Sequence, residues 1–543
     1  MRISISGVRH ALAMSPWLVL AFFAKESPAD GLAVPLPSST REVVSVVCGK
    51  AAGDAGANAI RLNPADHKVQ GTIAAEFLGT NILYWIDDDA AWASGHERAK
   101  LQRLGLKTLR YPGGEVADNY DWERNAIERR NSFPREANSE AERDGRLDYR
   151  EFLAQAHRLG ATNLFFVVNL EGAFFQPGNL HENVERYAEK AARWVKAVRE
   201  AGYFVPYWEI GNESYLRTAY PLRAQEYAWA LKQFSLKMKA ADPRIRIGAI
   251  GPFGAEGEEA VGFADLLGDK ALTAYRQALV SGNDNPCGEA RRWACAKKLG
   301  GKLAGLEAAK WWEVVTAEAG KAFDYVVIHR YRSERLTRDK DIRFDGPIAL
   351  ARELREFKQY LRERKGSDVT VALTEWNTPA PFHNAMSEMQ HAMDVMEQLG
   401  NLIEGGVDYA LYWPWRMKGV KFPLLGGGWA DQSTYELMLL FQEYHGAHLL
   451  SGGIGRNEDV YILPTGDAGG VRYLFVNHGA KEQKVSIALT TMALAGVKWK
   501  VLSESEDGRV AVLGGSHNSV PPGCGLRLWL GPTTVLGLQL VSE

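Results

Sequence analysis

The stretch VPYWEIGNESYL, residues 205–216, begins like a buried strand and ends in a polar pair. Most of its residues up to Ile210 are apolar, which is typical of a strand covered on both faces. Gly211 then ends the apolar run, and Asn212 and Glu213 follow it directly. The pattern predicts a strand of a parallel sheet whose carboxyl end presents an amide beside a carboxylate.

Seven other short apolar runs resemble this one, and amphipathic helices alternate with them. The eight runs are residues 74–81, 106–112, 163–171, 206–213, 245–251, 324–331, 369–377 and 407–415. Strands that alternate with helices favour a parallel sheet, and eight such units predict a closed (β/α)8 TIM barrel, an α/β fold. A doubly wound open sheet is the alternative, but no GxGxxG turn follows the first run.

The ends of the chain predict a second domain. Residues 30–72 read as a proline-containing linker followed by one or more strands, and residues 73–445 contain the barrel pattern. The stretch around 255–320 is long for one crossover and is interpreted as an insertion. Residues 446–543 contain short strands separated by turn residues, which predicts an antiparallel β-sandwich that includes an N-terminal strand.

Residues 1–29 resemble an export signal. A basic start precedes the apolar residues 11–24, which are too few for the about 20 residues that span a bilayer. We therefore expect a cleaved signal peptide and a secreted or periplasmic protein without stable membrane insertion. An uncleaved anchor is the alternative.

The four cysteines are compatible with export. Cys287 and Cys295 are close in sequence, whereas Cys48 and Cys524 would be neighbours if both chain ends build one domain. Both pairs are candidate disulfides, and four free thiols are the equally open alternative.

Composition and missing motifs exclude several classes of function. The formal net charge of −2 argues against a nucleic-acid partner, for which a basic surface is expected. The sequence contains neither HExxH nor GxSxG, so zincin and serine-hydrolase chemistry have no support. We predict no metal site and no cofactor, and the sequence leaves the oligomeric state open.

Two glutamates stand at strand ends that face each other across the predicted barrel mouth. Glu213 follows the fourth run and Glu375 lies in the seventh, and active sites of such barrels form at the carboxyl ends of the strands. Retaining glycoside hydrolysis needs two carboxyl groups about 5–5.5 Å apart, whereas inverting enzymes hold theirs about 6.5–9.5 Å apart. We predict Glu375 as the nucleophile and Glu213 as the acid/base.

Other polar and aromatic residues at the strand ends are candidate substrate-binding residues. Arg110 and Tyr331 would keep Glu375 ionised, Asn212 would bind a sugar 2-hydroxyl, and Trp413 would stack on a sugar ring. The complete candidate set is Asn81, Arg110, Glu115, Asn169, Asn212, His329, Tyr331, Trp376 and Trp413.

These motifs resemble a known group of enzymes. WEIGNE at 208–213 and LTEWN at 373–377 look like the motifs of clan A retaining glycoside hydrolases. LRYPGGEVADNYDW at 109–122, followed by HRY at 329–331, is most similar to the α-L-arabinofuranosidases of glycoside hydrolase family 51. The resemblance covers roughly the barrel region and also implies a C-terminal sandwich.

The resemblance implies double-displacement cleavage of O-glycosidic bonds in plant or bacterial heteroglycans, with Glu213 as acid/base and Glu375 as nucleophile. Two positions depart from the family pattern, because Asn81 stands where the family usually has Glu and Glu115 where it usually has Asn or Cys. A β-xylosidase, uronidase or endo-glycanase of the same clan is therefore an alternative specificity. A catalytically inactive carbohydrate-binding protein is the alternative from another class.

Overall fold

The chain is described here by a computed structural model from residue 42 to residue 542. The description omits residues 50–58, 88, 94, 129–142, 217–219, 255–259, 282–291, 300–308, 332–339, 378–386, 418–422, 426–432, 453–458, 490–491 and 505–509. The predicted signal at 1–29 and Cys287 lie outside the described residues, so the signal peptide and the Cys287–Cys295 pair stay predictions.

Eight parallel strands close into a barrel, which confirms the predicted fold class. The strands are β1 (Leu78–Asn81), β2 (Thr108–Tyr111), β3 (Asn163–Val168), β4 (Tyr207–Ile210), β5 (Arg246–Ile250), β6 (Tyr325–Tyr331), β7 (Thr370–Asn377) and β8 (Tyr409–Tyr412). Each strand pairs with the next one along the chain, and β8 pairs with β1. All eight strands lie within the predicted apolar runs, and their carboxyl ends therefore meet on one rim.

Helices cover the outside of the barrel. The helices of the described part are Asp89–Ala93, His96–Leu104, Tyr149–Leu159, Glu171–Phe175, Leu180–Glu200, Ala224–Ala241, Asp269–Val280, Arg292–Lys298, Trp311–Ala319, Lys340–Lys365, Glu388–Glu404 and Ser433–Tyr444. Their ends follow local chemistry: Asp148 caps Tyr149–Leu159 by accepting hydrogen bonds from two backbone N–H groups, and Gly160 ends it with φ 69°. No helix in the described ranges is long and apolar enough to cross a membrane.

Aromatic side chains fill the barrel interior below the rim. Phe165 of β3 stacks on Tyr207 of β4 with ring centroids 4.4 Å apart, and Tyr325 and Tyr409 contact the same pair edge-on. Each such aromatic pair contributes about 0.5–1.5 kcal/mol beyond the burial of its area. The barrel interior below the mouth is therefore a packed core rather than a channel.

Two sheets that share one hydrophobic core form the predicted second domain. The strands of the larger sheet, in spatial order, are Val510–Val520, Leu494–Glu504, Thr534–Ser542, Gly470–Asn477, Val460–Asp467, His448–Leu450 and Val69–Thr72. The smaller sheet has the order Val44–Cys48, Cys524–Leu530, Gln483–Ala488 and Ile60–Leu62. The pairing is antiparallel except between the last two strands, which run parallel.

Both ends of the chain therefore build the sandwich, and a disulfide joins Cys48 to Cys524 on adjacent strands. The strand Val510–Val520 was not among those expected from the sequence. Its sequence VAVLGGSHNSV contains two glycines and several polar residues, and most of its positions are exposed or half-buried. An edge strand of this kind lacks the apolar alternation by which buried strands are recognised.

The helix Glu388–Glu404 of the barrel packs against the sandwich. A methyl group on Gly400 would collide with the hydroxyl of Tyr461 on the sandwich strand Val460–Asp467. The absence of a side chain at Gly400 thus allows the helix and the strand to approach closely.

Candidate active site

Glu213 and Glu375 meet at the mouth of the barrel. Glu375 lies on β7, and Glu213 stands three residues after the end of β4. One carboxylate oxygen of each lies within 4.8 Å of the other. Their side chains are 16% and 6% exposed, so the pair reaches solvent but is largely screened from it. This separation is shorter than the about 6.5 Å at which inverting carboxylate pairs begin.

Glu375 is held as a carboxylate by donors on both of its oxygens. Arg110 Nη1 donates to Oε1 at 2.7 Å, and the hydroxyl of Tyr331 donates to Oε2 at 2.9 Å. Burial alone would raise the pKa of Glu375, but the electrostatic effect of His329 and Arg110 and the hydrogen bonds from Arg110 and Tyr331 together hold this pKa below its ordinary value. The group is therefore suited to act as an ionised nucleophile.

Arg110 of β2 lies beneath the two glutamates and links its strand to the ends of β1, β4 and β7. Besides Glu375, its guanidinium donates to Glu209 Oε2 at 2.9 Å, to Asn212 Oδ1 at 2.9 Å and to Asn81 Oδ1 at 3.0 Å. Burial disfavours the charged guanidinium, yet the charges of Glu209 and Glu375 keep its pKa above the ordinary value. Arg110 has no exposed surface, and its predicted contact with substrate stays a prediction. Its position is that of an organising residue.

Asn81 is likewise removed from the cavity. Its amide donates to the carbonyl oxygens of Thr374 at 2.9 Å and Tyr412 at 3.1 Å, while its own oxygen accepts from Arg110. Asn81 is fully buried, and these bonds join β1 to β7 and β8. Protein groups use both ends of the Asn81 amide, and its predicted contact with substrate stays a prediction.

His329 on β6 links the two glutamates. Its Nδ1 lies 2.9 Å from Glu213 Oε1 and 3.7 Å from Glu375 Oε2, and its Nε2 lies 3.1 Å from Thr374 Oγ1. A neutral imidazole that accepts from the Thr374 hydroxyl at Nε2 carries its proton on Nδ1, facing Glu213. His329 can therefore hydrogen-bond the Glu213 carboxylate, and the imidazolium would also attract Glu375.

Asn212 is held by Asp118, a residue that was not among those expected at the site. Both carboxylate oxygens of Asp118 accept the backbone N–H of Asn212, at 3.0 and 3.2 Å. Burial of Asp118 is the main cause that raises its pKa to about 7, and Glu115 adds to the rise, while hydrogen bonds from the backbone of Asn212 and Leu170 oppose it. The Asn212 side chain itself is 1% exposed and accepts from Arg110, so its predicted contact with a sugar hydroxyl stays a prediction.

The rim contains two of the predicted aromatic residues in different environments. Trp413, which follows β8, is half-buried, and its ring lies over Gly114, where a methyl group would collide with it. Trp376 has no exposed surface and packs edge-on against Tyr412. Trp376 alternates with Glu375 along β7 and so points away from the barrel interior, and its predicted contact with substrate stays a prediction.

Glu115 and Asn169 lie at the ends of β2 and β3. Glu115 is half-buried and begins the short 3₁₀ helix Glu115–Asn119. Asn169, also half-buried, accepts the backbone N–H of Gly172 at 2.8 Å and donates to Glu128 at 3.2 Å. These bonds fix the turn after β3, and the predicted substrate contacts of both residues stay predictions.

Two further buried residues of the site, Glu209 and Asp118, could have been recognised from the sequence. Glu209 is a charged residue inside an otherwise apolar strand, and such a residue needs a buried partner, here Arg110. Burial raises the pKa of Glu209 against the opposing charge of Arg110. Asp118 follows the Pro-Gly-Gly turn after β2, where an acidic residue could have been expected near the strand ends.

Comparison with known proteins finds similarity in fold rather than in sequence. No family model matches the chain, and no curated protein sequence matches it. The structure is similar to an α-L-arabinofuranosidase from Thermotoga maritima in complex with arabinose, with a TM-score of 0.62 and 15% identity over 89% of this chain and 100% of that one.

Two other solved structures are also similar to this chain in fold. The family 51 α-L-arabinofuranosidase from Thermotoga petrophila RKU-1 has a TM-score of 0.60 and 16% identity over 89% of this chain and 100% of that one. CelM2, a bifunctional glucanase-xylanase from a metagenome library, has a TM-score of 0.57 and 15% identity over 90% of this chain and 99% of that one. The chain thus has the two-domain fold of family 51 enzymes.

Proposed function

We propose that this chain is a retaining glycoside hydrolase that cleaves O-glycosidic bonds by double displacement, with α-L-arabinofuranosides of plant or bacterial heteroglycans as the first substrates to test. One observation carries the proposal: the carboxylate oxygens of Glu213 and Glu375 lie within 4.8 Å of each other at the carboxyl ends of β4 and β7. Retaining enzymes use a pair about 5–5.5 Å apart because no water stands between nucleophile and sugar.

In the first step, a Glu375 oxygen attacks the anomeric carbon while Glu213 donates its proton to the departing glycosidic oxygen. In the second step, Glu213 removes a proton from water, the water oxygen attacks the anomeric carbon, and Glu375 is released as a carboxylate. Arg110 and Tyr331 stabilise the carboxylate form of Glu375. That form is both the attacking group of the first step and the leaving group of the second.

His329 is placed to interact with Glu213 differently before and after Glu213 gives up its proton. Its Nδ1 at 2.9 Å can hydrogen-bond Glu213 once that residue has lost its proton. The same imidazole is anchored by Thr374, which fixes its orientation toward both glutamates. His329 is therefore proposed to assist the change of Glu213 from acid to base.

A metal-dependent hydrolase is a second reading of the same side chains, because Glu213, His329 and Glu375 are close enough to bind one cation. The guanidinium of Arg110 lies 2.7 Å from Glu375 Oε1 and would repel a divalent ion there. Tyr331 occupies the other oxygen of Glu375. We therefore favour catalysis by the carboxylates alone, and activity that persists in the presence of a chelator is the expected result.

The substrate is proposed from the solved structures of similar fold, several of which are α-L-arabinofuranosidases. Hydrolysis of aryl arabinofuranoside, xyloside, glucuronide and fucoside should be compared, together with several polysaccharides. A preference for xyloside, glucuronide or an internal polysaccharide linkage would replace the arabinofuranosidase proposal with a β-xylosidase, uronidase or endo-glycanase. The proposed mechanism is the same in each case.

Chemical rescue tests the mechanism. Glu375→Ala should lower kcat on an activated aryl glycoside by about 10⁴-fold or more, and azide should restore turnover with a glycosyl azide of inverted configuration. Glu213→Ala with azide should yield the azide of retained configuration, because azide then attacks the glycosyl-enzyme. Undiminished activity of Glu375→Ala would refute the assigned nucleophile. A wild-type protein that binds glycans but hydrolyses none of the panel would identify a carbohydrate-binding protein instead.

We also propose that the protein acts outside the cytoplasm, secreted or in the periplasm. The apolar segment at 11–24 and the Cys48–Cys524 disulfide support this, since structural disulfides persist in oxidising compartments. Fractionation of the producing cell, with N-terminal sequencing of the exported protein, tests both localisation and signal cleavage.

A further inference from the structure

A second cluster of metal-ligating side chains lies where the barrel meets the sandwich. Asp394 and Glu397 are three residues apart on the helix Glu388–Glu404 and so share one of its faces. His478 follows the sandwich strand Gly470–Asn477. One ligand atom from each of the three residues lies within 4.8 Å of the others. No residue of the proposed active site belongs to this cluster.

The cluster is almost completely shielded from solvent. The side chains of Asp394 and Glu397 are each 2% exposed, and that of His478 is 3% exposed. Ionised carboxylates are rarely buried to this extent unless they are paired or coordinate a metal.

The contact between Glu397 and His478 has the distance but not the direction of a hydrogen bond. Nε2 of His478 lies 2.8 Å from Oε2 of Glu397. Nevertheless, this Oε2 atom accepts no hydrogen bond from any described residue. Two ligand atoms that bind the same cation show this kind of contact. Metal–ligand bonds of about 2.0–2.2 Å bring the two ligand atoms to roughly 3 Å from each other, while both point at the metal rather than at each other.

The donor groups of the cluster also suit a divalent cation. Two carboxylate groups and the lone pair of a neutral imidazole together form a donor set that can hold a divalent ion. The mixture of one nitrogen and two carboxylate groups fits zinc or manganese better than calcium, which prefers six to eight oxygen ligands.

The ligands are attached to well-fixed backbone. The N–H of His478 donates to Asp459 O at 2.8 Å, and the side chain of the preceding Asn477 donates to three carbonyl groups. On the helix, Asn401 donates to the backbone oxygen of Glu397 at 2.8 Å. A site between two such supports needs little rearrangement to bind an ion.

We propose that Asp394, Glu397 and His478 bind one zinc or manganese ion that fastens the sandwich to the barrel. Water would complete the coordination, and the role is structural. The sequence does not indicate this site, because the three ligands come from two domains and have no motif spacing. The inference is independent of the proposed glycosidase chemistry.

The test uses the full-length protein after removal of metals with a chelator. Titration with Zn²⁺ should show one ion bound at this cluster and raise Tm by roughly 2–4 °C at saturation. Glu397→Gln, which keeps size and removes charge, should weaken this binding at least about tenfold. Glu213→Gln is the matched control, because it makes the same change in the other cluster and should leave the affinity unchanged.

Binding that is equal in wild type and Glu397→Gln, or no binding at all, would show that the cluster is only an ion pair and overturn the proposal. If Glu397→Gln does not fold, Mn²⁺ can be added to His329→Gln, which lacks the imidazole of the other cluster. Pulsed electron paramagnetic resonance of that sample should show coupling to a histidine nitrogen. Absence of the coupling would equally refute the site.

Discussion

Arg110 Nη1 lies 2.7 Å from Oε1 of Glu375, and the same guanidinium contacts Glu209 at 2.9 Å. One buried cation is thus shared by a residue of the barrel interior and by the proposed nucleophile. The exposure of the Arg110 side chain is zero, so water does not screen these contacts. The ionisation of Glu375 and the packing of the barrel mouth consequently depend on the same side chain.

Arg110→Met should therefore cost both stability and activity. Removal of the cation leaves two buried carboxylates without their partner, which we expect to lower the free energy of unfolding by about 3–5 kcal/mol. Thermal and denaturant unfolding measure this loss. Arg124→Met is the control, because Arg124 is 68% exposed in its pair with Asp121 and should cost no more than about 1 kcal/mol. Equal losses in both variants would contradict the role given to Arg110.

Tyr331→Phe should move the acid limb of the activity profile to higher pH. The Tyr331 hydroxyl favours the ionised form of Glu375, so its loss raises the pKa of that carboxyl and protonates the nucleophile at a higher pH. We also expect kcat to fall about tenfold to a hundredfold, the effect of one hydrogen bond to a charged group. The measurement is kcat/KM against pH. Tyr435→Phe, which removes a hydroxyl bonded to Lys100 O, should leave the profile unchanged.

Asp118→Asn should remove a pH dependence centred near neutrality. The pKa of Asp118 is raised to about 7, so its charge beside Asn212 changes across the neutral range. We expect the corresponding inflection in kcat/KM to disappear in the variant. Asp265→Asn is a matched control, because burial also raises the pKa of Asp265 to about 7 although it contacts Ala224 rather than the site. An inflection that persists in Asp118→Asn would assign it to another group.

Asp118→Asn should also change the way in which stability depends on pH. The pKa of Asp118 is higher in the folded chain than the ordinary 3.8, so the folded state binds more protons than the unfolded state between these values. Its contribution to stability is therefore present at acid pH and is lost as pH rises through about 7. Relative to wild type, Tm of Asp118→Asn should rise from pH 3.8 to about 7, the two pKa values, and then stay level. A constant difference in Tm would contradict the raised pKa.

Gly114→Ala should weaken substrate binding by displacing Trp413. Gly114 has φ 64°, and a methyl group there would collide with the Trp413 ring. We expect KM to rise about tenfold, the effect of one lost aromatic contact of roughly 1.4 kcal/mol. Gly105→Ala is the control, because Gly105 has φ 67° and nothing within 4 Å of the added methyl group. It adds backbone strain at a left-handed position away from the rim, although less than at Gly114, whose ψ of −166° is essentially restricted to glycine. An equal rise in KM would show that strain alone is responsible.

The barrel itself could be predicted because it depends on local patterns. Apolar runs such as 163–171 and 369–377 alternate with helices in the sequence, and each run proved to contain one strand of the closed sheet. The strand Val510–Val520 escaped prediction because it is an exposed edge strand whose polar residues lack that pattern. The strand-end positions of Glu213 and Glu375 followed from the barrel, because parallel strands present their carboxyl ends on one rim.

The sequence by itself thus determined which side chains stand at the barrel mouth, since strand order and periodicity fix that much. Only the tertiary structure decided which of them face the cavity and which lie beneath it. Asn81, Arg110 and Trp376 occupy strand ends like the others, yet neighbouring strands and helices cover them completely. The reason is physical: hydrogen bonds and packing between strands far apart in the chain set burial and ionisation, and no local pattern records those distances.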